Sequence, residues 1–266
     1  MNDGLPIKET DYLPKSTLYK KEDGYGTYKD KNDGKYSKNY TNVTVSNRYL
    51  NREARFYNTV FFNGRQWPVT CKQVQFYNGG NAGVQEGQAT TTGYMLFKRF
   101  NRSISKTSPG VASQNRPSII FRLADFYLIY AEVANEVNPS DSRVLTYLNL
   151  VRERAGLPKV EILNPGIVGN KELQRAAIQR ERQIELATEG QRYFDVRRWM
   201  IADKDGEGRQ NGYAHGMNVR GTINDTEEFN RVVETEKIVF NRKMYLQPIP
   251  DHEMRKTQNL VQNPGW

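Results

Sequence analysis

Beyond Arg116-Pro117 the apolar residues fall into step with a helix. Leu123, Phe126, Tyr127, Tyr130, Ala131 and Ala134 recur at spacings of three and four, so they share one face of a helix that stops near Asn138-Pro139. Asp141 or Ser142 is placed to cap the next helix. Leu145, Leu148, Val151 and Arg152 line that helix, Gly156 ends it and Pro158 follows. The two make an antiparallel hairpin. A second pair is predicted, with Asn170 as N-cap, Leu173 to Glu189 helical and Gly190 as the stop, then a shorter helix near Arg192–Ile201. Ile184 and Ala187 are expected on the packed side, with Phe194, Val196 and Trp199 on the next helix. Residues 203–243 read as polar loop, "KMYLQPIP" as a short apolar strand, and Asp251 as the cap of a last turn.

The first 115 residues show no such rhythm. Gly, Asn, Asp, Lys and Tyr dominate positions 1–50, with turns at Asp23-Gly24 and Asp33-Gly34. "RFYNTVFF" (55–62) reads as extended and leads to a turn at Asn63-Gly64; "KQVQFYN" (72–78) and "YMLFKRF" (94–100) also read as extended. The predicted fold is therefore mainly α, with helix hairpins over 116–266 and a loop-rich irregular region with a few short strands over 1–115. The two are expected to form one structural domain.

Composition narrows the function. The chain has 266 residues and a net charge of +9, with 16 Tyr, 2 His and the single cysteine Cys71. Residues 1–115 hold +8 of the charge, but their lysines are scattered through Gly-rich polar sequence, which reads as solvated loop rather than a nucleic-acid surface. One cysteine and two isolated histidines make no convincing metal site, and no cofactor is implied. "DKDGEG" (203–208) lacks the closing Glu of a calcium loop, where Ala214 stands, and reads as a turn. "MNDGLPIKET" has no apolar signal-peptide core, and no run approaches a membrane span.

The densest chemistry lies in "ERQIELATEGQRYFDVRRWM" (181–200). Glu181, Glu185 and Glu189 share a helical stripe, Arg182 is placed to pair with Glu185, and Arg192, Asp195 and Arg198 follow at spacings of three. Catalysis by paired carboxylates needs one raised pKa, and neighbouring arginines work against that. The stretch is expected to be an ion-pair network that locks helices together.

Together with "RPSIIFRLADFYLIYAEVANE", "YLNLVRERAGLP" and "YLQPIPDHEMRKTQNLVQNPGW", that stretch resembles the SusD/RagB family of outer-membrane nutrient-binding lipoproteins. "NDGLPI", "LNREARFYNTVFFNG" and "TGYMLFKRF" extend the resemblance forward. It implies tetratricopeptide-like helix hairpins, of which Leu123 to Pro158 is close to one unit. It implies a non-catalytic protein at the surface of the outer membrane that binds glycans and delivers them to a SusC-like TonB-dependent porin. Met1 falls where the family is mid-chain, so the resemblance is to its C-terminal half, and the membrane link is expected through a lipid anchor absent from this chain.

Sugars are held by aromatic rings and by amide or guanidinium groups on loops. The segment 40–100 supplies Tyr40, Tyr49, Tyr57, Trp67, Tyr77 and Tyr94, with Asn63, Arg65, Gln66, Asn78 and Asn81. Trp67, flanked by Asn63, Arg65 and Gln66, leads as ligand platform, followed by Tyr77; Trp199 and Trp266 are expected in the core. The front-half charge hints at an anionic glycan. The alternatives are peptide uptake, as in RagB, a helical protein-interaction scaffold, or a glycosidase, for which Glu53 and Glu86 are a poor supply of carboxylates over residues 51–115.

Overall fold

The computed structural model describes residues 24–29, 42–67, 72–84, 90–98, 100, 119–203, 212–222, 229–230 and 232–266. Tyr40, Cys71, the Asp33-Gly34 turn, the boundary at Arg116-Pro117 and most of "DKDGEG" lie outside them. Among the described residues there are three two-stranded antiparallel sheets and seven α-helices. In chain order these are β1 (Tyr25–Tyr28), β2 (Val43–Ser46), α1 (Ala54–Thr59), β3 (Val60–Phe62), β4 (Tyr94–Leu96), α2 (Leu123–Val137), α3 (Arg143–Arg154), α4 (Val160–Leu163), α5 (Lys171–Glu185), α6 (Gln191–Arg198), β5 (Gly212–Met217), β6 (Val232–Ile238) and α7 (Asp251–Met254). The pairs are β1–β2, β3–β4 and β5–β6.

Helices α2, α3 and α5 pack around Leu128, Ala131, Val144, Leu148, Val151 and Ile178. Their ends are closed by side chains suited to the task. Asp141 Oδ1 accepts from the Arg143 N–H at 2.9 Å, and Asn170 caps α5 by accepting from the Leu173 N–H at 3.1 Å. At the end of α3, Gly156 takes φ +76° while the Leu157 N–H reaches the Arg152 carbonyl at 3.0 Å. A side chain at that left-handed position would be strained, which is why glycine stands there. Asn135 Nδ2 donates to the Lys171 carbonyl at 3.0 Å and Gln174 Nε2 to that of Pro139 at 2.9 Å, so α5 is bonded to the α2–α3 corner.

Several expectations are corrected. The buried face of α2 is Ala124, Asp125, Leu128, Ala131 and Asn135. Leu123, Phe126, Tyr130, Val133 and Val137, spaced three-four-three-four, form a second apolar stripe that faces solvent; Phe126 is 56 % exposed. The α2 sequence is apolar on two sides and periodicity merges them: of the expected face, Tyr127, Ala131 and Ala134 pack on the core, whereas Leu123, Phe126 and Tyr130 do not. "RFYN" is helical in α1, and only 60–62 is strand, because Arg55 is drawn toward acids on α5. Residues 72–78 form isolated bridges rather than a strand. The polar stretch 203–243 contains the β5–β6 hairpin, with a bulge at Ala214/His215. "KMYL" is not a strand; Arg242–Tyr245 is a 3-10 turn. Phe194 and Trp266 are exposed, Trp266 donating its indole N–H to the carbonyls of Lys243 and Leu246, both at 3.1 Å. Trp199 is half-buried, bonded to Glu132 at 2.7 Å.

The front half has its own aromatic cores. Tyr28, Tyr49 and Phe62 pack with Val43 and Val45. Phe61, Phe76, Tyr77 and Phe97 pack with Met217 and Phe229. The second cluster takes residues from both sides of the expected 115/116 division. Trp67 joins it edge-on, 5.1 Å from Phe61 and 4.7 Å from Phe100 between ring centroids.

Ion pairs join the loop-rich half to the helices. Arg55 on α1 reaches Glu181 at 2.6 Å and Glu185 at 3.1 Å. Arg152 approaches Glu181 from α3, and Arg122 spans Glu185 and Glu189 at 2.6 and 2.7 Å. Lys98, just after β4, pairs with Glu189 at 2.6 Å and caps the carbonyls of Glu185 and Ala187. Arg182 does not pair with Glu185. It turns the other way, to Asp125 at 2.8 Å and Asp195 at 3.0 Å, all three buried. Burial would raise the Glu185 and Glu189 pKa values, but hydrogen bonds and charge from Arg122, with Arg55 or Lys98, hold both below the usual carboxylate range.

Arg182→Ala leaves Asp125 and Asp195 buried without their shared cation, and is expected to cost roughly 3–5 kcal/mol. Urea unfolding checks this, and a loss under about 1 kcal/mol would contradict the arrangement. Because the folded pKa values of Glu185 and Glu189 lie below their unfolded values, their stabilisation is present above the unfolded pKa. It is lost as pH falls through the folded one. Urea midpoints are expected to hold down to about pH 5 and drop below about pH 4.3; midpoints unchanged to pH 3 would contradict it. Trp67→Ala is expected to lower stability by about 2–3 kcal/mol, short of a fully buried Trp. A thermal melt unchanged from the parent would show that the ring does not pack as described.

Candidate functional site

An open cleft of about 90 Å³ lies between the β1–β2 hairpin and the segment that follows the Asn63-Gly64 turn. The turn is set by Gly64 at φ +86°, and its backbone bonds to Val74 (Gly64 N–H to Val74 carbonyl, 2.7 Å). That pairing lays Gln73, Gln75 and Tyr77 along one wall. Thr44 and Ser46 of β2 and Tyr25 of β1 form the other, and Phe229 and Asn230 close the end.

Tyr25 is 48 % exposed, and its hydroxyl accepts from Asn230 Nδ2 at 2.8 Å. Tyr77 lies deeper, edge-on to Phe229 at 6.0 Å, and burial raises its pKa, so the hydroxyl keeps its proton. Asn63 Oδ1 accepts the Phe76 N–H at 2.8 Å, while Gln73 Nε2 donates to the Gly64 carbonyl at 3.1 Å. No charged side chain lines the cleft among the described residues. Nor do they contain a cluster of three His, Cys, Asp or Glu able to hold a metal ion. The amides, hydroxyls and rings of the described wall are suited to hydrogen bonding and ring contact.

Of the residues singled out in the sequence, Asn63 and Tyr77 lie in this cleft. The other described ones are drawn elsewhere. Arg65 is fully buried, its Nη1 donating to the Tyr57 carbonyl at 2.6 Å and its guanidinium 4.5 Å from the Phe97 ring centre. Tyr57 stacks on Tyr28 at 5.3 Å and donates to the Tyr49 carbonyl at 2.8 Å. Tyr49 is buried, with Tyr94 edge-on at 6.0 Å. Gln66 is buried and bridges Gln73. The Asn78 N–H donates to Gly221 at 2.8 Å, and the Asn81 amide bonds the backbone of Gln73 and Gln75. Trp67 faces Phe61 and Phe100 instead of the cleft.

Sequence reasoning missed Tyr25, Gln73, Gln75 and Asn230. "GYGTY" carried a usable signal, since strand alternation buries Tyr28 and turns Tyr25 outward. Asn230 had none, being brought in from 205 positions away along the chain.

The sequence matches the SusD family over residues 1–266. SusD-like protein P25 of Formosa agariphila is 44 % identical over 106 residues, which is 40 % of this chain and 19 % of that protein. SusD-like protein P2 of the same organism is 31 % identical over 153 residues, 56 % of this chain and 26 % of its own. Among solved structures, BT4246 aligns over 100 % of this chain and 42 % of its own, at 25 % identity and TM-score 0.75. A SusD-like protein from Bacteroides fragilis, BF3747, aligns over 82 % of this chain and 40 % of its own, at 28 % identity and TM-score 0.68. The chain therefore spans between about a fifth and two fifths of the length of these relatives. The family match over the whole chain, the identities and the shared helical scaffold agree: the chain belongs to the SusD family.

Proposed function

We propose that this chain binds glycan without transforming it, at the surface of the outer membrane, for delivery to a SusC-like TonB-dependent porin. The observation that carries the reading is the cleft itself, where an exposed Tyr25 ring meets neutral amides and hydroxyls, with no carboxylate among the described lining residues. An aromatic face covers the apolar C–H face of a sugar ring, and amides match hydroxyls as both donors and acceptors. Membership of the SusD family supports the same reading. Trp67, Tyr57, Tyr94, Arg65, Gln66 and Asn78 then act beneath the site, shaping the walls that Asn63 and Tyr77 share with Tyr25.

A second reading, a helical scaffold for a partner protein, is favoured by the solvent-facing stripe of Leu123, Phe126, Tyr130, Val133 and Val137 on α2.

Affinity gel electrophoresis against a panel of polysaccharides, with a casein peptide pool as competitor, decides between them. Retardation by at least one polysaccharide is expected, weakened by about tenfold or more, at least about 1.4 kcal/mol, in a folded Tyr25→Ala variant. No reducing sugar is expected to be released. Binding to the peptides alone would point to peptide uptake, release of sugar would point to a glycosidase, and a folded chain retarded by nothing would leave the scaffold reading.

A further inference from the structure

We propose that the cleft selects an uncharged sugar residue, so that its ligand is a neutral glycan rather than a sulfated or uronate-bearing one. This rests on the glycan reading above and narrows it. The overall charge of +9 points the other way at first sight. Net charge, however, steers ligands from a distance, whereas selection is made by the groups in contact.

The cations of the front half that the structure describes are turned away from the cleft. Arg65 is buried among aromatic rings, Arg55 is committed to Glu181 and Glu185 of α5, and Lys98 to Glu189 in the turn after it. Arg48 Nη1 meets Met217 Sδ at 2.8 Å, and Arg52 Nε donates to the Arg48 carbonyl at 2.6 Å. Lys29 and Lys72 are exposed but do not line the cleft.

The wall that remains is mixed in hydrogen-bonding sense. Asn63 spends its oxygen on the Phe76 N–H, which leaves its amide N–H groups to donate. Asn230 spends an N–H on Tyr25, which leaves its oxygen to accept and leaves the Tyr25 proton to donate. Donors and acceptors set side by side suit hydroxyl groups, each of which does both. A sulfate or carboxylate accepts only. It would meet the Asn230 oxygen unfavourably and would lose hydration with no cation among the described lining residues to offset the loss.

The test titrates the full chain against two neutral polysaccharides, a β-glucan and a galactomannan, and two anionic ones, alginate and carrageenan. Affinity gels are run at about 50 and 500 mM NaCl, because added salt screens ionic attraction and leaves neutral contacts alone. The expected result is retention by a neutral polymer that changes less than about twofold with salt and is lost in folded Tyr25→Ala. Retention by an anionic polymer only, also lost in Tyr25→Ala and falling about tenfold or more with salt, would overturn the inference while leaving glycan binding intact. Retention by neither class would overturn both this and the reading on which it rests.

Discussion

Three glutamates, Glu181 and Glu185 on α5 and Glu189 in the turn after it, hold the two halves of the molecule in register. A buried carboxylate is costly unless cations meet it, and here the cations come from four separate segments: Arg55, Lys98, Arg122, and Arg152 with Arg154. Each pair is satisfied only when its segment lies in one position. The network therefore specifies geometry more than it adds net stability. Arg182 performs the same service on the other side of α5, where it joins α2 to α6 through Asp125 and Asp195.

This division of labour explains how an irregular front half keeps a defined cleft. Strands of three and four residues cannot stand alone. They are held from below by aromatic clusters and from the side by α5, and the β5–β6 hairpin lends Met217 to the same core as Phe61. The walls of the cleft thus inherit their positions from residues that never touch it. Arg65 is the clearest case: its guanidinium bonds the carbonyl of Tyr57 and lies over Phe97, beneath the turn that bears Asn63.

The helix hairpins were legible because they obey local rules. Asn170 and Gly156 act as the sequence indicates, and the ion-pair character of 181–200 follows from arginines standing beside acids. What was not legible depended on distance or on burial. Leu123 and Phe126 repeat with helical spacing as well as Leu128 and Ala131 do, so only the packed partners α3 and α5 decide which side is inside. Arg182 could pair locally with Glu185, yet Asp125 and Asp195 enclose it from remote positions. Trp67 reads as a platform because its neighbours are polar, whereas Arg65 and Gln66 are buried and Trp67 itself is half-buried against Phe61 and Phe100. The cleft is assembled from four chain segments, and the one that closes it, Phe229-Asn230, gives no hint of its destination in its own neighbourhood.

The placement of the indoles has an optical consequence. Trp67 sits in the front aromatic core, Trp199 against Glu132 of α2, and Trp266 against the Lys243 and Leu246 carbonyls; none lines the cleft. Emission excited at the red edge of the spectrum comes from these three rings alone, and so it follows the scaffold from three separate vantage points. The exposed ring that lines the cleft is a tyrosine, whose own light is weak and readily passed to nearby indoles. Occupancy of the cleft is thus nearly dark to tryptophan fluorescence, while the collapse of each part of the frame is bright.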